Sequence, residues 1–271
     1  MTNRNAWYLF CLTTEKDLTV VTEEMVPNYG RLYLQSFANF NAVLSWITVD
    51  EKYSDQSEEL MQRVFYHERV LEQLMQNAAV FPVRFGTLFS SLDKFNDEII
   101  KNKVVIESCL AKIDQHNEWS VKIFLDEELA LNNFVETRQQ KQAELLVGLA
   151  PGIKYLKQQQ LCHEARRCFN HTQYFQPIYD FISEEFTSHA IEYKNRLTTT
   201  QQLVSNNKIA VMNWAFLIPK TVKQIFLESI INSINTQYEP VGIYATLTGP
   251  WPPYSFCDYE STSAASFKLA Q

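Results

Sequence analysis

Gly249-Pro250-Trp251-Pro252-Pro253-Tyr254-Ser255-Phe256 is the stretch from which the rest of the chain is best read. Three prolines and three aromatics within eight residues exclude a helix. Proline also lacks the donor that a central strand needs. The segment is therefore expected to be a stiff, extended arm with little conformational freedom to lose on docking. It follows residues 240–248 (PVGIYATLT), which read as a strand. Trp251, Tyr254 and Phe256 must lie against something apolar. That surface is either the core of the arm's own domain or a partner that receives the arm as a proline-rich ligand.

Upstream, residues 6–12 (AWYLFCL) read as a buried strand, and 31–37 and 42–49 as two more, with a turn at Asn39-Phe40-Asn41. A helix is expected over 54–79, capped near Ser57-Glu58-Glu59. Its apolar stripe is Leu60, Val64, His67, Leu71, Leu74 and Ala78. A histidine in such a stripe is expected to be a hydrogen-bonded core residue. Residues 80–89 (VFPVRFGTLF) read as a strand opened by proline, with a bulge or close backbone approach at Gly86. Arg84 there requires a carboxylate or carbonyl partner, or a place at an edge. A second helix is expected over 91–113, then a half-buried strand over 118–125.

Residues 126–150 turn polar and glutamine-rich, placing a domain boundary near 126–131. Helices are expected from Ile153 and over 174–191, where Pro177 starts or kinks the second one. Strands follow at 193–203 and 208–219. A last helix over 220–237 is read with Val222, Ile225, Phe226, Ser229, Ile230 and Ile234 as its buried stripe, before the strand at 241–247. The expected fold is α+β: two ferredoxin-like units, the second with long amphipathic helices and the C-terminal arm. The expected division is 1–128, 129–248 and an arm and tail at 249–271.

Composition narrows the function. The chain has 271 residues, net charge −7 and no basic cluster, a poor basis for binding nucleic acid. No apolar run approaches ~18 residues, so no membrane-spanning helix is expected. The first five residues lead directly into a strand-like segment, without a signal peptide's apolar stretch. The cysteines Cys11, Cys109, Cys162, Cys168 and Cys257 are scattered and odd in number. They read as reduced thiols in the cytoplasm. Phosphate-cradling glycine loops and nucleophile elbows are absent from the sequence, and Cys162, His163, Cys168 and His171 fit no zinc spacing. Neither a cofactor nor a metal is expected, and nothing demands an enzyme.

Several stretches, in this order, resemble the gas vesicle protein F/L family (GvpF/GvpL). They are Phe81-Pro82-Val83-Arg84-Phe85-Gly86-Thr87, Glu118-Trp119-Ser120-Val121-Lys122, Pro151-Gly152-Ile153-Lys154-Tyr155-Leu156, Val211-Met212-Asn213-Trp214-Ala215-Phe216-Leu217-Ile218 and Leu247 through Phe256. The PxRFGT and GPWPPYSF segments are the specific ones. The polar, cysteine-containing segment after Leu156, with Pro177 beyond it, departs from the pattern. The resemblance implies a non-enzymatic accessory or minor structural protein of gas vesicles, cytoplasmic and associated with the vesicle. It further implies assembly contacts with the small hydrophobic shell protein and with other accessory proteins. Partner contacts are expected at Arg84, Phe85, Gly86 and Thr87, and at Trp251, Tyr254 and Phe256. Two other classes remain open: an enzyme using His67 with Arg84 in a polar pocket, and a two-unit module binding a small ligand or serving regulation.

Overall fold

A computed structural model describes residues 4–21, 29–49, 58–196, 203–204 and 208–257. Its contacts separate into two units. The first runs to Glu118 and resumes at Pro250; the second is Trp119–Gly249.

The first unit is built on β1 (Arg4–Thr13), β2 (Tyr29–Ser36), β3 (Asn41–Val49) and β4 (Val80–Pro82), in spatial order β2-β3-β1-β4. β1 pairs antiparallel with β3 and β4, and β2 with β3, which is the ferredoxin-like strand order. The register of β1 shifts between Leu9 and Cys11, leaving Phe10 as an extra residue. This bulge is why the apolar run of β1 does not alternate: Tyr8, Phe10 and Cys11 all enter one core cluster with Val70, Leu71 and Leu74. Those last three belong to α1 (Glu58–Met75), whose expected start at 54–57 lies outside the described residues. The helix ends at Met75, short of the expected Ala79. α2 (Leu92–Ile113) matches its expected span, opened by Ser91 accepting from the Lys94 N–H. Of its expected anchors Leu92, Phe95, Ile99, Ile106 and Leu110, the last four are buried and Leu92 is half-buried.

Residues 80–89 do not form one strand. β4 ends at Pro82, the chain turns through Arg84–Thr87, and β5 (Leu88–Phe89) rejoins β1. The Thr87 N–H and Oγ both donate to the Arg84 carbonyl, and Gly86 takes φ 84°, as the third position of a type II turn requires.

The second unit has strand order β10-β6-β9-β7, from β6 (His116–Asp126), β7 (Glu192–Asn195), β9 (Lys208–Pro219) and β10 (Ile243–Trp251), with β8 (Leu203–Val204) paired to β9. This is again the ferredoxin-like order, and its first crossover holds three helices: α3 (Glu127–Lys141), α4 (Pro151–Cys168) and α5 (His171–His189). Pro151 occupies the first turn of α4, where its missing donor costs nothing, so the helix begins two residues before Ile153. Pro177 neither starts α5 nor lies near its cap. Asn170 caps that helix, accepting from the Gln173 N–H, and Pro177 sits exposed inside it.

α6 (Gln224–Tyr238) buries Leu227, Ile230, Ile231 and Ile234, while Ile225 is 75% exposed. The stripe expected through Ile225 and Phe226 is thus rotated by part of a turn. α6 also protects the edge strand β10. The Asn235 amide donates to the Ala245 carbonyl at 2.9 Å and accepts from its N–H at 2.7 Å. A side chain thereby occupies backbone groups that would otherwise be open to another strand.

Candidate functional site

The PxRFGT turn and the C-terminal arm both converge on His67. α1 presents the imidazole to the core of the first unit, where it is 0% exposed. It stacks on Phe10 with centroids 5.5 Å apart and meets Tyr8 and Phe85 edge-on.

Its Nε2 lies 3.1 Å from the Val83 carbonyl and 3.2 Å from the Tyr254 hydroxyl, while Nδ1 lies 2.8 Å from the Tyr8 hydroxyl. A carbonyl can only accept, so Nε2 carries the proton and Nδ1 accepts from Tyr8. The remaining directions follow. The Gly86 N–H donates to the Tyr8 oxygen at 3.3 Å, and the Tyr254 hydroxyl donates to Glu68 Oε1 at 2.9 Å. One ordered chain of donors therefore links the turn, β1, α1 and the arm.

The electrostatics agree with a neutral ring. Burial lowers the His67 pKa to about 4, against a smaller opposing effect of the bond to Val83. Burial likewise raises the Tyr8 and Tyr254 hydroxyls, which remain donors throughout the physiological range. The Glu68 carboxyl is raised, first by burial and further by Glu72, with the Tyr254 hydrogen bond working against both.

Beyond Trp251 the arm stops being extended. The Tyr254 N–H donates to the Pro252 carbonyl and the Phe256 N–H to the Pro253 carbonyl, giving two successive tight turns. Pro250 is tolerated because β10 is an edge strand. Glu118, 1% exposed, takes the Ser255 N–H at 3.0 Å on one carboxylate oxygen and the Ser255 hydroxyl at 3.1 Å on the other. Pro252, Pro253, Phe256 and Cys257 are buried in this unit. The Phe256 carbonyl accepts from Lys112 Nζ on α2 at 3.3 Å.

The residues expected to meet a partner thus fall into two groups. Arg84 and Trp251 are exposed, and Phe85 and Tyr254 are half-buried. Thr87 and Phe256 are buried, and Gly86 shapes the turn. Arg84 resolves its sequence-level conflict by turning outward. His67 and Arg84 do not make the polar pocket of the enzymatic alternative, since one is enclosed by aromatic rings and the other faces solvent.

Sequence reasoning placed His67 in the core but missed Tyr8 as its acceptor-side partner, and Glu68 and Glu118 as the carboxylates that take hydrogen bonds from the arm. Tyr8 and Tyr254 lie 59 and 187 positions from His67, so no local pattern could pair them. Among the described residues, no group of three or more His, Cys, Asp or Glu side chains could hold a metal ion, and no helix is long and apolar enough to cross a membrane.

Residues 6–258 match the model of a family described as gas vesicle synthesis protein GvpL/GvpF. Among solved structures, the chain is similar to the gas vesicle protein GvpF from Anabaena sp. PCC7120, with a TM-score of 0.68 at 20% identity. That likeness covers 94% of this chain and 97% of the other. It is also similar to GvpF from Microcystis aeruginosa, with a TM-score of 0.62 at 20% identity over 94% and 99% of the two chains. No curated protein matches it. At this level of identity the two structures speak to fold.

Proposed function

Because the chain belongs to the gas vesicle synthesis protein family GvpL/GvpF, we propose that it is a non-enzymatic accessory or minor structural protein acting in gas vesicle assembly. In this reading it works in the cytoplasm, associated with the vesicle, and binds the small hydrophobic shell protein and other accessory proteins. The family match over residues 6–258 carries the proposal, and the likeness in fold to two GvpF structures supports it. A shell subunit must keep an aggregation-prone apolar face covered until it polymerises, so a holding partner has a physical role.

The proposed contact is the PxRFGT turn together with the start of the arm. Arg84 and Trp251 would touch the partner, being exposed and of the residue types that concentrate binding energy. Phe85 and Tyr254 would form the shoulder, and Gly86, Thr87 and Phe256 would hold the shape. Co-purification from vesicle-producing cells tests this, with the parent and an Arg84→Ala/Trp251→Ala variant as baits and circular dichroism as the control for folding. Shell protein recovered with the parent and lost from the folded variant is the expected result. Equal recovery with both moves the contact elsewhere, and recovery with neither removes the assembly reading.

A further inference from the structure

Cys109 and Cys257 are 148 positions apart in the sequence, yet their sulfurs lie 2.7 Å apart in the first unit. A disulfide needs about 2.05 Å, so only a small approach separates this pair from bond formation. Neither sulfur is held loosely. Cys109 sits on the buried face of α2, and the residue before Cys257 is pinned to the same helix. The Phe256 carbonyl accepts from the Cys109 thiol at 3.5 Å and from Lys112 Nζ, one turn further along α2, at 3.3 Å. The thiol and the ammonium thus share one acceptor oxygen, which holds the end of the arm against α2 beside Cys109. Exposure is 8% at Cys109 and 7% at Cys257, so a small oxidant is needed to reach them.

We propose that Cys109 and Cys257 are a reversible disulfide site that ties the C-terminal arm to α2. This is independent of the proposed vesicle function. With hydrogen peroxide as oxidant, one thiolate attacks a peroxide oxygen, giving a sulfenic acid and, after protonation, one water. The second thiolate then attacks that sulfur, forming the S–S bond and expelling hydroxide, which is protonated to a second water. Two sulfurs together lose two electrons, and one peroxide gains them. The link closes a long chain loop, so it restricts the unfolded chain more than a short crosslink would.

The test uses the full chain, reduced, desalted and exposed to hydrogen peroxide, then alkylated without reductant and mapped by mass spectrometry. A Cys109–Cys257 linked peptide is expected, two hydrogens lighter than the separate thiols and split by dithiothreitol. The melting temperature should rise by roughly 5–10 °C on oxidation and return on reduction. Cys109→Ser and Cys257→Ser should each show neither the link nor the rise. Each protein is compared with itself before oxidation, so a destabilised variant still answers the question. Both cysteines alkylated separately after peroxide, links confined to Cys162 or Cys168, or a link without a change in melting would each overturn the proposal.

Discussion

Replacing His67 with alanine is expected to cost about 3–5 kcal/mol of stability, as a large buried ring is lost and its partners are left unpaired. The cavity would open between Phe10, Tyr8 and Phe85. The Val83 carbonyl would lose its donor and the Tyr8 hydroxyl its acceptor. Urea denaturation measures this as a lower midpoint at unchanged slope. A loss under about 1 kcal/mol would contradict the account, since a surface substitution costs no more.

The same residue sets a pH dependence. The folded-state pKa of His67 is about 4, below the usual value near 6.5, so the unfolded chain takes up the proton first as pH falls. The contribution is complete above about pH 6.5 and is lost on the way down to pH 4. Its full size is about 3 kcal/mol. Glu68, with its raised pKa, acts in the opposite sense, adding stability at lower pH. The difference between the parent and His67→Ala, followed across this window, isolates the histidine. That difference should shrink as pH falls.

Gly242→Ala is expected to damage the second unit by about 2–5 kcal/mol, combining a left-handed backbone with overpacking. Gly242 has φ 87°, and a Cβ there would stand 2.9 Å from the Asp126 carbonyl and 3.0 Å from the Ala130 nitrogen. The glycine also bonds to the residue that caps α3, its carbonyl accepting from the Asp126 N–H at 2.8 Å. Gly86→Ala supplies the contrast. Its φ is 84°, but nothing stands within 4 Å of the added carbon, so the backbone term of about 1–2 kcal/mol is all that applies. Thermal or urea unfolding of both variants should show the larger loss at Gly242. Equal losses would mean that the close approach at Asp126 relaxes without cost.

Elements with a single consistent signal were legible in the sequence. The aromatic run of β1, the apolar anchors of α2 and the long apolar β9 each fold where their residues point. The failures share a cause: two readings of equal local quality, decided by tertiary contact. In α6, the expected set Ile225, Phe226, Ser229, Ile230 and Ile234 and the set Leu227, Ile230, Ile231 and Ile234 both repeat at helical spacing and share Ile230 and Ile234. The fold buries the second set. In residues 80–89, β-forming residues surround a glycine whose positive φ breaks the strand into β4, a turn and β5. Pro177 lies inside α5 on its exposed side, and the start of the helix is set by the Asn170 cap and not by the proline. The candidate site was legible as two motifs. Their meeting at His67 was not, because that needs contacts across most of the chain.

The most direct test of the vesicle function is made in a vesicle-forming cell from which this chain has been deleted. Vesicle content is read as light scattering that collapses under pressure. Loss of that signal, restored by the parent chain but not by a folded Arg84→Ala/Trp251→Ala variant, is the predicted result. Undiminished vesicles in the deletion would contradict a role in assembly.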